Sequence, residues 1–171
     1  MRKALVRWNS LDPAVAAREI LPCCGSQAWA DALVSKRPFT DEESLLETSS
    51  SIWRTLTESA WQEAFESHPR IGQNHAQAGA TSESLQWSAQ EQSTVLSADD
   101  AMKFALNEAN RSYEQKFGRI FIVCATGKTP SEILDILEVR RKNDAATELR
   151  EASEQQRQIT ELRLRRWLES T

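Results

Sequence analysis

His68 stands in the segment HPRIG, between a helical pattern that stops before Pro69 and a long polar loop. Imidazole is the side chain best suited to moving protons near neutral pH, and the proline after it restricts the directions it can take. The plainer reading is a histidine capping its own helix, where an imidazolium suits the carbonyl end. Ser88-x-x-Glu91 has the spacing of a capping box. Read so, Ser88 opens a short helix whose first turn also suits an anion, and a partly desolvated Glu91 can serve as acid or base. Near the carboxyl end, Leu149, Ala152, Ile159, Leu162 and Trp167 share one arc of a helix at about 100° per residue. Arg163 and Gln156 fall inside that arc, as do Glu148, Gln155 and Arg166. An arginine rooted among apolar neighbours calls for a carboxylate, from Glu148 or from a bound ligand; a snorkelling side chain is the bland alternative. His75 reads as an exposed loop residue. A histidine, a serine with a glutamate, and an arginine together suit a small anionic substrate.

The elements that must position these residues read as helices. The chain has 171 residues, enough for one domain with one core, and 40% of them are apolar, including six tryptophans. Its five glycines and five prolines fall between periodic segments rather than within them, which favours helices with short connections. Asp12-Pro13 opens a first helix. A second runs over 26–35, and Thr40-x-x-Glu43 reads as a capping box for a third ending near 56. A fourth covers 59–67 and ends ahead of Pro69. After the loop 71–84, Ser88 starts a short helix to about 96, and Ser97 caps a longer one ending at Gly118. On that longer helix Met102, Leu106, Ala109, Tyr113 and Phe117 fall on one face. IFIVCA (120–125) is the one strand-like run; with no second strand to pair, it reads as a buried extended connector. Thr129-Pro130 starts a further helix to about 142, and Asn143 caps the last. The expectation is an all-α, single-domain bundle of about seven to eight helices over 1–171, with one short extended connector.

Composition removes several classes. Net charge is −4, which argues against a nucleic-acid partner; the basic excess is local, in RLRRW at 163–167. No apolar run reaches the roughly 20 residues of a membrane helix, and neither a secretion signal nor a peroxisomal ending is read, so a cytoplasmic location is expected. Cys23, Cys24 and Cys124 make a poor disulfide framework and read as small core residues. No metal-ligand spacing occurs, and no metal is expected. Arg70, Asn110, Tyr113 and Asp144 read as residues of the fold.

HPRIG at 68–72, SAQEQ at 88–92 and NRSYEQKFGRIFIVCATGK at 110–128, in that order, resemble the OHCU (2-oxo-4-hydroxy-4-carboxy-5-ureidoimidazoline) decarboxylase family. Arg140 with Asn143-Asp144 and Glu148, then ITELRL at 159–164, continue the likeness over nearly the whole chain. The resemblance implies a helical, dimeric, cofactor-free carboxy-lyase that forms (S)-allantoin at the end of urate degradation. It carries the catalytic roles to His68 and Glu91, and substrate binding to Ser88, Arg163 and the backbone near Ile120 and Ile122. Arg119 stands where the family often has an apolar residue. Competing readings are a non-catalytic helical interaction module that uses the basic RLRRW end, a nucleic-acid binder through that same end, and a lyase for a related ureido acid.

Overall fold

The computed structural model describes residues 2–73 and 75–169. Among them the chain forms ten α-helices and one 3₁₀ turn, and no strand. Their order is α1 (Lys3–Asn9), α2 (Pro13–Ile20), the 3₁₀ turn Leu21–Cys23, α3 (Gln27–Val34), α4 (Glu42–Thr55) and α5 (Glu58–Glu66). Then follow α6 (Ser82–Glu91), α7 (Ser93–Leu96), α8 (Asp100–Phe117), α9 (Pro130–Arg140) and α10 (Ala145–Glu169). The fold is all-α, as expected, with two more helices than expected. One is α1, which has no side-chain cap at its start and so carries no start signal. The other arises because α6 and α7 separate at Gln92.

Local chemistry explains most boundaries. Asp12 accepts from Ala14 N at 2.9 Å ahead of Pro13, the proline at the first helical position, an arrangement that satisfies a donor the helix leaves open. Asp41, not Thr40, caps α4 by accepting from Ser44 N at 2.8 Å. Asp99, not Ser97, caps α8 through Met102 N at 2.8 Å, and Asp144, not Asn143, accepts from Thr147 N at 2.8 Å at the start of α10. In each case an aspartate close to the expected cap took its place. Gly118 ends α8 at φ 68°, a left-handed position where a Cβ is costly.

The helices form two compact units, Met1–Ala64 with Arg157–Thr171, and Phe65–Gln156. In the first, α3 packs on both α2 and α4, and Trp8, Trp29, Ile20, Leu33 and Leu45 are fully buried. Buried indoles need a partner for their N–H. Trp8 donates to Ala16 O at 3.0 Å, Trp29 to Ser49 Oγ at 3.2 Å, and Trp167 to Glu19 Oε1 at 3.1 Å. In the second, α8 packs on α9, and the expected face of α8 (Leu106, Ala109, Tyr113) joins Ile71, Val95, Phe121, Val123, Ile133 and Leu137 in one apolar cluster. No helix among the described residues is long and apolar enough to cross a membrane.

Candidate active site

His68 lies two residues past α5 and is buried, 6% exposed. The turn that carries it is firmly held. Pro69 makes an isolated antiparallel bridge with Ala76. Arg70 forms a two-pronged ion pair with Glu114 of α8 (Nε–Oε1 2.5 Å, Nη2–Oε2 2.7 Å), whose hydrogen bond raises the guanidinium above its ordinary value. Asn110 Nδ2 donates to Ile71 O at 3.3 Å. Gly72 turns the chain at φ 88°, a conformation glycine adopts without strain.

Ser88 and Glu91 sit in the last turn of α6, not in its first. Thr81 and Ser84 form the capping box upstream, each side chain accepting the other's backbone N–H at 3.0 Å. The reading of Ser88 as an N-cap, with an anion site in the first turn, is therefore corrected: the free amides of α6 lie two turns away. Positions three apart share a helix face, so Ser88, buried, and Glu91, half-buried, face the same way as buried Ser84 and Trp87. The next residue, Gln92, is buried and joins this helix end to the histidine-bearing turn. Its Oε1 accepts from Gly72 N at 2.8 Å and its Nε2 donates to Gln73 O at 3.1 Å.

Residues 120–125 are buried, extended and without a paired strand. In extended chain, alternate side chains face opposite ways. Phe121, Val123 and Ala125 enter the apolar cluster, while Ile120, Ile122 and Cys124, also buried, lie outside it. Buried backbone groups need partners, and here side chains supply them. Arg140 Nη1 donates to Ile122 O at 2.5 Å, Gln155 Oε1 accepts from Cys124 N at 2.9 Å, and Lys128 Nζ donates to Cys124 O at 2.7 Å. The amides of Ile120 and Ile122 have no hydrogen-bond partner among the described residues.

Arg140 is itself buried in a pair with Glu148, Nη2–Oε1 2.5 Å and Nε–Oε1 3.0 Å. Tyr113 Oη also donates to Glu148, and Asn143 Nδ2 reaches its second oxygen at 2.9 Å. Burial, together with the bond to Glu148, pushes the Tyr113 phenol above its ordinary value, so it remains a donor. Glu148 is thus committed to Arg140, not to Arg163 as the shared arc allowed.

In the other unit Arg163 is 1% exposed, and its Nη1 donates to Pro22 O at 3.3 Å. RLRRW is not an open basic surface. Arg163, Leu164 and Trp167 are buried, and Arg165 pairs with Glu42 at 2.7 Å and Glu161 at 3.0 Å. This removes the feature on which the interaction-module and nucleic-acid readings depended. Burial drives the nearby Cys24 thiol up to about 12, against the lowering effects of a bond from Thr160 and the Arg163 charge. Its folded value lies above the unperturbed 9.0, so its contribution to stability holds below about pH 9 and is lost as pH rises toward 12. Cys23 and Cys124 are also buried and outside any disulfide, and buried thiols react slowly. Ellman's reagent at pH 8 is expected to titrate none of the three cysteines before denaturation and all of them after it; fast reaction of a thiol in the folded protein would contradict this.

Sequence reasoning did not single out Gln92, Arg140 or Gln155 as supports of the site. A signal existed for Arg140 and Glu148, two opposite charges flanking a short helix–helix turn. Nothing local marked Gln92 or Gln155.

The chain matches the OHCU decarboxylase family over residues 9–165. It is 38% identical over 144 residues to the uric acid degradation bifunctional protein TTL of Arabidopsis thaliana, covering 83% of this chain and 44% of that protein. It therefore spans less than half of that relative. It is 32% identical over 136 residues to the 2-oxo-4-hydroxy-4-carboxy-5-ureidoimidazoline decarboxylase of Amia calva, covering 79% of this chain and 77% of the other. Among solved structures, an OHCU decarboxylase crystallised in the presence of (S)-allantoin superposes with a TM-score of 0.76 at 33% identity, covering 89% of this chain and 98% of that one. An (S)-allantoin synthase shares the fold, with a TM-score of 0.71 at 21% identity over 95% of this chain and 53% of that one. An all-helical scaffold of decarboxylase type is thus defined. The chain belongs to the OHCU decarboxylase family.

Proposed function

We propose that this protein decarboxylates 2-oxo-4-hydroxy-4-carboxy-5-ureidoimidazoline to (S)-allantoin in urate degradation, with His68 and Glu91 as catalytic residues and Ser88, Arg163, Ile120 and Ile122 as substrate contacts. The observation that carries this assignment is the double hydrogen bond of Gln92 to Gly72 and Gln73. It ties the turn that follows buried His68 to the end of the helix bearing Ser88 and Glu91, which supports reading these segments as parts of one site.

In the reaction, the bond between the ring carbon and its carboxylate breaks and carbon dioxide leaves. The electron pair enters the adjacent carbon–nitrogen double bond, so the substrate serves as its own electron sink. The ring nitrogen that receives the pair takes up a proton. A second proton then reaches the ureido-bearing carbon as the hydroxyl gives up its own and the carbonyl forms, so one proton is consumed for each carbon dioxide released. The tasks left to the protein are orientation, charge handling and delivery of a proton to one face. His68 acts on the hydroxyl and carboxylate region. Glu91, with the Ser88 hydroxyl, orients the ureido group and shares the proton handling with His68. Arg163 contributes charge-assisted hydrogen bonds to an anionic or carbonyl oxygen. The open amides near Ile120 and Ile122 suit a ligand carbonyl. Residues 1–171 act as one OHCU decarboxylase domain, working as a cytoplasmic homodimer; sedimentation of the purified protein tests the oligomeric state.

The substrate, which decays spontaneously to racemic product, is best made in situ from urate with urate oxidase and the hydrolase that follows it. Adding this protein is expected to give a fast, single-handed circular dichroism signal of (S)-allantoin. Decay at the uncatalysed rate to racemate would remove this activity and favour a lyase for a related ureido acid.

A further inference from the structure

A charged pair in a protein interior is weak ground for stability. Its desolvation cost is comparable to its attraction, and apolar residues of similar volume often do as well. The pair Arg140–Glu148, 4% and 0% exposed, therefore needs another reason for its place. Arg140 Nη1 grips Ile122 O at 2.5 Å, and its guanidinium lies over the Phe121 ring at 4.6 Å. Its Nε and Nη2 both point to Glu148 Oε1. Glu148 in turn is fixed by Tyr113 of α8 and by Asn143, just past α9. Three elements thus converge on one carbonyl of a segment that has no strand partner to set its peptide planes. A planar fork with fixed donor directions does this, whereas a lysine supplies a single point charge on a flexible stem.

We propose that Arg140 is a positioning residue for the reaction. Seated by Glu148, Tyr113 and Asn143, it sets the peptide geometry of Ile120–Ile122 so that these amides meet the substrate. This rests on the proposed use of that backbone in the site. Arg140 itself touches no reacting atom; it acts through Ile122. Orientation errors of about 1 Å can cost on the order of 10²-fold in rate.

Two variants separate positioning from folding. R140K keeps a cation beside Glu148 but loses the fork. R140M with E148Q removes both charges and leaves an amide for Tyr113 and Asn143 to bond, but no donor for Ile122 O. In both, thermal denaturation should show a folded protein. Amide hydrogen exchange across 120–125 should quicken, the Kd for (S)-allantoin by calorimetry should rise at least about tenfold, and kcat/KM should fall on the order of 10²-fold with a raised KM. A merely structural role would lower the folded fraction and leave Kd and KM of the folded enzyme unchanged, and that result would overturn the proposal. So would wild-type exchange across 120–125 in both variants. A wild-type protein that neither turns over the substrate nor binds (S)-allantoin would overturn the activity and this inference with it. Wild-type activity with unchanged KM in both variants would overturn the inference alone.

Discussion

Replacing His68 or Glu91 with alanine is expected to lower kcat by roughly 10²–10⁴-fold, the span of general acid–base contributions, with the helical circular dichroism signal close to that of the parent. The turn around His68 is held by the Arg70–Glu114 ion pair, the Asn110 bond to Ile71 O and the Gln92 staple, none of which uses the imidazole. Glu91 is half-buried in the last turn of α6, where an alanine extends a helix at least as well as a glutamate. Loss of either group therefore removes chemistry more than scaffold. Glu91→Gln sharpens the test, since it keeps the hydrogen-bonding shape and discards the ionisable proton. The measurement is the initial rate of (S)-allantoin formation, with the spontaneous rate subtracted. Parent-like rates in His68→Ala or Glu91→Ala would sink the assignment of that residue.

Glu148→Ala is expected to have the largest effect on stability, about 3–5 kcal/mol, the cost of leaving one partner of a buried ion pair without its counter-charge. Glu148 is fully buried and gathers Arg140, Tyr113 and Asn143. Without its carboxylate, the buried guanidinium, a phenol and an amide all lose an acceptor, and each buried polar group left unpaired is costly. Urea denaturation checks the value. The R140M and E148Q pair should cost less than the two single substitutions summed, because groups in one network are not additive. A loss for Glu148→Ala below about 1 kcal/mol would mean that water or a rearranged side chain replaces the carboxylate, contrary to the burial of this site.

The helical class was legible because its signals lie within a turn or two of chain. The face of α8 from Leu106 to Tyr113, the stop at Gly118, the Asp12-Pro13 start, and the break before Pro69 are each set by local sterics and backbone hydrogen bonding. The structure contains all of them. The unpaired connector at 120–125 was legible for a related reason: an apolar, β-branched run without a second such run has nothing to pair with. Ser88-x-x-Glu91 misled because a capping-box spacing also occurs inside helices. Thr81 and Ser84 decided the true start through a reciprocal bond, and the stretch between has too weak an apolar stripe to reveal it.

The sequence by itself thus determined an all-helical scaffold, most of its turns, and the residue types able to handle protons and an anion. Only the tertiary structure decided that Glu148 serves Arg140 rather than Arg163, that Gln92 joins the histidine turn to α6, and that Arg140 and Gln155 replace a missing strand along the connector. The reason is the range of the interactions. Helix starts and stops are settled within about four residues. The choice among acceptors for a buried arginine or amide depends on which groups chain packing brings within 3 Å or so after water is excluded, and spacing along the chain does not encode that.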